Sequence, residues 1–149
     1  MKRPDTRVLL AALVLTLVSA PIFSSETAIV VDPDDPNLAW GPCPDFMPAG
    51  CEIAVLHGDP AKPNVDILFR VPGGSVIPPH GHTSAERMIL LSGELEVTYE
   101  GQDTVTLNAG QYAYGPAGLL HDAYCAQGDD CVLFIAFEEP LDAYPVDSE

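Results

Sequence analysis

The sequence predicts an all-β protein made of short strands joined by tight turns. Its 149 residues include fifteen prolines and twelve glycines, spread so that few long uninterrupted stretches remain for helices. Apolar residues make up 47% of the chain, enough for one globular core, which disfavours disorder. Turn signals such as Pro72-Gly73-Gly74 and Gly101-Gln102-Asp103 recur at short spacing. This pattern is typical of a sandwich or a small barrel.

About nine strand-like segments follow one another from Glu52 onward, and each is bounded by turn residues. The predicted strands are Glu52-Leu56, Val65-Val71, Ser75-His82, Glu86-Leu91, Glu94-Glu100, Thr104-Asn108, Gln111-Tyr114, His121-Cys125 and Val132-Glu138. We therefore expect one folded domain over residues 51–139. Residues 25–50 are rich in Pro and Asp and predict an extended arm or loop, and residues 140–149 predict a surface coil.

The first residues have the form of an export signal. Three basic residues precede a thirteen-residue apolar run, Val8–Ala20, which ends at Pro21. A membrane span requires roughly 20 apolar residues, so this run is short for one. We predict a signal peptide over residues 1–24 with cleavage near Ser24 or Ser25, and an uncleaved anchor is the alternative. The mature protein would then be periplasmic or extracellular, without membrane contact.

Charge excludes two classes of partner. Twenty-two acidic residues against six basic ones give the chain a net charge of −16. The mature domain would retain only Lys62, Arg70 and Arg87 against twenty-one acids, a net charge of −18. Such a chain has no positive patch for nucleic acid or anionic membrane. The acidic surface is interpreted as a solvated face that keeps an exported protein soluble; an acidic partner-binding face is the alternative.

The four cysteines favour disulfides, because thiols outside the cytoplasm tend to be oxidised. Cys43 and Cys51 flank one Pro- and Gly-rich loop, and Cys125 and Cys131 flank a turn-like stretch. Two local disulfides are the simplest interpretation, each stabilising by roughly 2 to 3 kcal/mol, although three pairings are possible. A zinc or catalytic cysteine site is disfavoured because the chain contains no CxxC pair.

Three histidines and one glutamate form a candidate metal site. His80 and His82 alternate within one strand-like run, so both imidazoles point to the same face. Glu86 follows a short turn-like stretch, and His121 opens a later strand. Three nitrogens and one carboxylate suit a divalent transition metal: iron, manganese, zinc, nickel or copper. The alternative is that these are ordinary strand or surface residues. His57, which lies outside this pattern, is interpreted as a surface or core histidine.

Two motifs resemble those of the cupin family. The first has the spacing G-x5-H-x-H-x3-E-x6-G and consists of Gly74, His80, His82, Glu86 and Gly93. The second consists of Gly110, Pro116, Gly118 and His121, with Cys125 where the family usually has Asn. The resemblance implies a small cupin β-barrel, a double-stranded β-helix of the jelly-roll type. It also implies one metal on His80, His82, Glu86 and His121, and pairing of two copies into a homodimer.

Several further side chains are given orientations relative to this barrel. Arg87 should face away from the metal because it directly follows a ligand. Arg70 should point outward, because its neighbours of opposite parity look like the inward face; an Arg aimed into the barrel is the alternative. Cys125 should point inward and pair with Cys131 rather than tune the site as a free thiol. The residues predicted as core rather than ligand contacts are Met88, Leu90, Tyr112, Tyr114 and Phe134.

For function, the resemblance favours a mononuclear metal-dependent enzyme of dioxygenase type that acts on a small molecule. The alternatives are a lyase, isomerase or hydrolase that uses the ion as a Lewis acid, and a non-catalytic module that binds a metal or a small ligand. The sequence identifies no general base and no substrate. Because His binds metal only when neutral, metal affinity should fall as the pH drops through roughly 6.

Overall fold

The computed structural model describes residues 26–146. The predicted signal peptide, its cleavage site and the last three residues of the predicted tail lie outside this range. Residues 26–30 fall in a separate unit and carry no regular secondary structure. The fold described below lies in the unit that begins at Val31.

Two antiparallel sheets make up the fold, which confirms the all-β prediction. The eleven strands in the described residues are β1 Trp40–Pro42, β2 Glu52–His57, β3 Val65–Val71, β4 Val76–Gly81, β5 Glu86–Ser92, β6 Glu94–Tyr99, β7 Val105–Asn108, β8 Tyr112–Gly115, β9 His121–Cys125, β10 Cys131–Phe137 and β11 Tyr144–Pro145. The first sheet has the order β1-β2-β3-β10-β5-β8 and the second β11-β4-β9-β6-β7. Residues 26–146 contain no helix, and hence none that could cross a membrane.

The hydrophobic core lies between the two sheets. On β10, Leu133, Ile135 and Phe137 alternate with half-buried residues and face inward, where they join Leu95 and Val97 of the second sheet. No strand of one sheet pairs with a strand of the other, so hydrogen bonding does not close the sheets into the predicted barrel. The core therefore lies between two packed sheets, whose edge strands among the described residues are β1 and β8 in the first and β11 and β7 in the second.

Two short strands lie outside the predicted domain. In the predicted arm, β1 pairs with β2 by placing Trp40 opposite Ala54. In the predicted tail, β11 pairs with β4 by placing Tyr144 opposite Gly81. Strands of three and two residues are too short to show an alternating pattern, so the sequence carries no periodic signal for either.

A bulge in β4 sets the direction in which His80 points. Ile77 and His80 are both buried although they are three residues apart, a spacing that would put them on opposite faces of a regular strand. The pairing with β9 shifts by one residue between them, at Pro78-Pro79. Because proline cannot donate to the ladder, a bulge is a place where a strand tolerates it.

Not every predicted core residue is buried. Met88 and Leu90 lie in the core as predicted, at 6% and 0% exposure. For Tyr112 and Tyr114 the prediction is wrong: they are 60% and 49% exposed. They lie on the outer face of β8, the edge strand, where Tyr112 pairs with the exposed Ile89. Phe134 is half-buried on the face of β10 opposite the core, so that prediction is also wrong.

The predicted cation orientations and disulfides are confirmed. Arg70 forms an ion pair with Glu52 and lies 4.1 Å from the centre of the Trp40 ring, on the outer face of the first sheet. Arg87 pairs with Glu138 and is likewise outside. Disulfides join Cys43 to Cys51 and Cys125 to Cys131, and Cys125 is fully buried as expected.

Candidate metal centre

The four predicted ligands meet between the two sheets. His80 in β4 lies directly opposite His121, the first residue of β9, in the second sheet. His82 follows β4 by one residue, and Glu86 is the first residue of β5 in the first sheet. All four are buried, with exposures of 3 to 8%. Burial of four titratable side chains at one point requires that they satisfy one another or bind a ligand.

The three histidines form a close cluster, and the carboxylate of Glu86 lies beside two of them. The three histidines each offer a ring nitrogen, and these nitrogens lie within 4.8 Å of one another. The Nε2 of His82 lies 3.3 Å from Oε1 of Glu86, and the Nε2 of His121 lies 3.5 Å from Oε2. Donor atoms about 2 Å from one metal ion stand up to about 4 Å apart. Both contacts to the carboxylate fall within that span.

The other nitrogen of each ring is held by the backbone. The Nδ1 atoms of His80 and His121 donate to the carbonyl oxygens of Pro78 at 2.8 Å and Leu119 at 3.3 Å. The Nδ1 of His82 donates to the carbonyl oxygen of Asp142. Because a carbonyl can only accept, these bonds place the proton on Nδ1 and leave the Nε2 lone pair for a metal.

Burial shifts the pKa values of the cluster in the direction that removes charge. It raises the pKa of Glu86 to about 8. It lowers the pKa of His80 to about 3, with the neighbouring His121 adding to the effect, and that of His121 to about 4. The pKa of His82 is lowered as well, again mainly by burial. At neutral pH the histidines are therefore neutral, the form that binds metals.

One atom of the cluster tests whether a metal fits. The Nε2 of His82 is buried and has no hydrogen-bond partner among the described residues, despite its closeness to Glu86. A buried polar atom without a partner is costly, and a metal bond would satisfy it. Three imidazoles and a carboxylate are donors that iron, manganese, zinc, nickel and copper all accept. The residues present therefore fit a divalent transition metal.

The loop between His82 and Glu86 is anchored by two residues that sequence reasoning missed. Ser84 is 1% exposed, and its hydroxyl accepts bonds from the amides of Glu138 and Glu139 at 2.9 and 3.0 Å. The carboxylate of Asp142 accepts a bond from the Thr83 amide at 2.9 Å. Ser84 lies inside the motif that carries the candidate ligands, so its position could have indicated a role at the site. Asp142 lies in the predicted coil, where nothing in the sequence indicates such a role.

An apolar cavity of about 250 Å³ opens beside the ligands. It is lined by side chains from both sheets, such as Ile67 and Met88 of the first sheet and Val97 of the second. The lining also includes Met47, from the loop closed by the first disulfide, and Leu141. The fourth histidine of the chain, His57, is exposed at the end of β2 and is not part of the cluster.

Comparison with known proteins identifies the family of this chain. A family model for the ChrR cupin-like domain matches residues 26–140. The chain belongs to this family. The cupin prediction from the two motifs is thereby confirmed. No curated protein is similar enough in sequence to count as a match.

Solved structures with this fold include enzymes of different classes. The DMSP lyase DddQ from Ruegeria pomeroyi DSS-3 is 18% identical, with a TM-score of 0.64 over 75% of this chain and 64% of the lyase. The polyketide cyclase RemF from Streptomyces resistomycificus is 20% identical, with a TM-score of 0.67 over 83% of this chain and 88% of the cyclase. An acetylacetone dioxygenase from Acinetobacter johnsonii is 20% identical, with a TM-score of 0.61 over 81% and 79%.

These neighbours share the fold with this chain at identities of 18 to 20%. The chain spans slightly less than two thirds of the lyase. Because the three enzymes named are a lyase, a cyclase and a dioxygenase, the fold alone does not select one reaction.

Proposed function

We propose that this cupin is a mononuclear metal-dependent enzyme of dioxygenase type acting on a small molecule. The observation that supports this most is the position of the ligand cluster. Ring nitrogens of the three histidines and the carboxylate of Glu86 lie close together in the lining of an apolar cavity. A substrate held in that cavity would lie next to the ion.

Each part of the site has a task in such an enzyme. His80, His82, Glu86 and His121 would hold the ion, and the backbone carbonyls would keep the imidazoles in their metal-binding tautomer. When bound, a redox-active ion supplies activation of O2 together with polarisation of a substrate oxygen. The apolar wall orients the substrate and excludes water.

The first test is the metal content of the mature protein, purified without chelator and measured by mass spectrometry. We expect about one equivalent of a divalent transition metal. It should be lost in a His80→Ala, His121→Ala variant and kept in His57→Ala, which changes an exposed histidine outside the cluster. Equal metal in all three proteins would overturn the assigned ligands.

A second test addresses turnover. The protein reconstituted anaerobically with iron is screened for O2 uptake with phenolic, diketone and thiol substrates, alongside the His80→Ala, His121→Ala variant. Uptake that requires the ligands supports the dioxygenase. Turnover without O2 uptake would instead support a lyase, isomerase or hydrolase.

A non-catalytic metal-binding module is the second candidate, and one feature favours it. Four protein ligands are the number that a closed tetrahedral zinc site uses. Stoichiometric zinc that resists chelation and supports no reaction would favour this candidate. Stoichiometric iron, manganese, nickel or copper with turnover would exclude it.

We further propose that the protein works outside the cytoplasm and as a homodimer. The two disulfides support an oxidising compartment. Localisation of the tagged protein by cell fractionation tests the first point, and light scattering of the purified protein tests the second. Retention in the cytoplasm, or a monomer at all concentrations, would contradict them.

A further inference from the structure

Within residues 26–146, the cavity wall carries no polar side chain apart from the predicted metal cluster and one acid. Besides the three clustered histidines, Glu86 and Asp142, every described residue that lines the cavity is apolar. The wall therefore offers no hydroxyl, amide, ammonium or guanidinium group to a bound molecule. Among these lining side chains, a substrate group finds hydrogen-bonding partners only at the cluster and at Asp142, and an anionic group finds no cationic side chain.

The cations of the described chain are all elsewhere. Lys62 pairs with Asp59 in an exposed loop at 3.0 Å. Arg70 and Arg87 are held on the outer face of the first sheet by their own acidic partners. None of these three residues lines the cavity. A carboxylate or phosphate away from the metal end would be buried without a counter-charge, which is strongly unfavourable.

Negative charge acts in the same direction. Asp142 is among the residues that line the cavity, and its carboxylate accepts the Thr83 amide. The chain as a whole carries a net charge of −16. Both features repel anions as they approach.

From this distribution we infer that the site selects a small molecule whose body is uncharged hydrocarbon, with oxygen donors only at the end that reaches the metal. The inference rests on the proposed function for the role of that end, and on the cavity wall for the rest. The volume fits such a molecule: an apolar cavity of about 150 Å³ holds benzene. The 250 Å³ found here accommodates a single ring with a short substituent.

A matched pair of probes tests this selectivity. Cyclohexyl methyl ketone and cyclohexanecarboxylate have nearly the same shape and differ in charge at neutral pH. Binding is measured by ligand-observed NMR after dialysis against EDTA, so that the carboxylate cannot gain affinity by ligating a metal. We expect the ketone to bind and the carboxylate to bind weaker by about tenfold or more. Equal or tighter binding of the carboxylate would overturn the inference.

Three variants show whether the ketone occupies this cavity. Ala123→Leu fills space at the wall and should weaken ketone binding by about tenfold, and Ala113→Leu serves the same purpose if the first variant fails to fold. Ala61→Leu, in an exposed loop, is the control and should bind normally. Leu141→Arg places a cation in the cavity lining and should raise carboxylate binding. If Ala123→Leu or Ala113→Leu folds but does not weaken ketone binding, the probe binds elsewhere, which would contradict the inference.

The result separates this inference from the proposed function. If the protein binds the ketone in this cavity but never holds a metal, the inferred selectivity stands and the proposed enzyme function is excluded. If the protein holds a metal on its four ligands but prefers the carboxylate, the metal centre stands and the inferred selectivity is excluded.

Discussion

His82 and Asp142 are sixty residues apart in sequence, yet the ring Nδ1 of His82 donates to the backbone carbonyl oxygen of Asp142. The Asp142 carboxylate at the same time accepts the amide of Thr83. Two residues further on, β11 pairs with β4, the strand that carries His80. Residues 140–146, which we term the C-terminal strap, therefore hold one predicted metal ligand in place and contribute to the lining of the cavity.

Removal of the C-terminal strap should weaken metal binding. A chain that ends at Glu139 loses the acceptor for His82, and loss of such a partner typically costs about 10- to 100-fold in metal affinity. Affinity is measured by competition with a chromophoric chelator, with circular dichroism as a check of folding. A chain that ends at Val146 keeps the strap and is the matched control. Equal affinities of the two folded chains would show that the strap does not support the site.

That the four candidate ligands lie together could be predicted from the sequence, whereas the strap could not. His80, His82 and Glu86 lie within seven residues, so their spacing and the alternation of a strand carry the signal. The contact of His82 with Asp142 is made by a backbone carbonyl, which any residue provides, so no residue type marks it. Strand β11 has only two residues and no pattern of its own.

The orientation of β8 is a second feature that could not be predicted from the sequence. Alternation correctly places Tyr112 and Tyr114 on one face, but it does not say which face is inside. Aromatic character favoured the core, yet the strand is an edge and its tyrosines face solvent. The smaller Ala113 between them is the residue that lines the cavity.

The stability of the metal-free protein should pass through a maximum in mildly acidic solution. Glu86 has a folded pKa raised from 4.5 to about 8, so its burial costs stability increasingly as the pH rises from about 5 to about 8. The histidines have folded pKa values below 6.5, so stability is also lost as the pH falls below that value. Thermal unfolding measured across this pH range tests the loss of stability on both the acidic and the alkaline side of the maximum. Glu86→Gln should remove the alkaline fall and keep the acidic one; an unchanged alkaline fall would contradict the assignment to Glu86.

Metal binding at neutral pH should release about one proton, and Glu86 should be its source. With a pKa of about 8 the carboxyl is largely protonated before the metal enters, while His80 and His121, with values of about 3 and 4, are already neutral. Because burial shifts these pKa values, the pH dependence of metal binding near neutrality should come from the Glu86 carboxyl group and not from the histidines. Calorimetric titration with zinc in buffers of different ionisation enthalpy counts the protons. Glu86→Gln should release none, and release of the same number by this variant would point to the histidines.

Loss of the Tyr99 hydroxyl should stabilise the metal-free protein. The Tyr99 oxygen is buried without a hydrogen-bond partner among residues 26–146, and burial, together with the charge of nearby Glu86, raises the pKa of this phenol to about 12. An unsatisfied buried hydroxyl costs about 1 to 3 kcal/mol, so Tyr99→Phe should raise the free energy of unfolding by about 1 kcal/mol. Denaturant titration measures the change, and Tyr112→Phe, at a tyrosine that is 60% exposed, should leave stability unaltered. A destabilised Tyr99→Phe protein would mean that the hydroxyl is bonded in solution; a bound water beside Gly115, where both Glu86 and Tyr99 approach, would then be its partner.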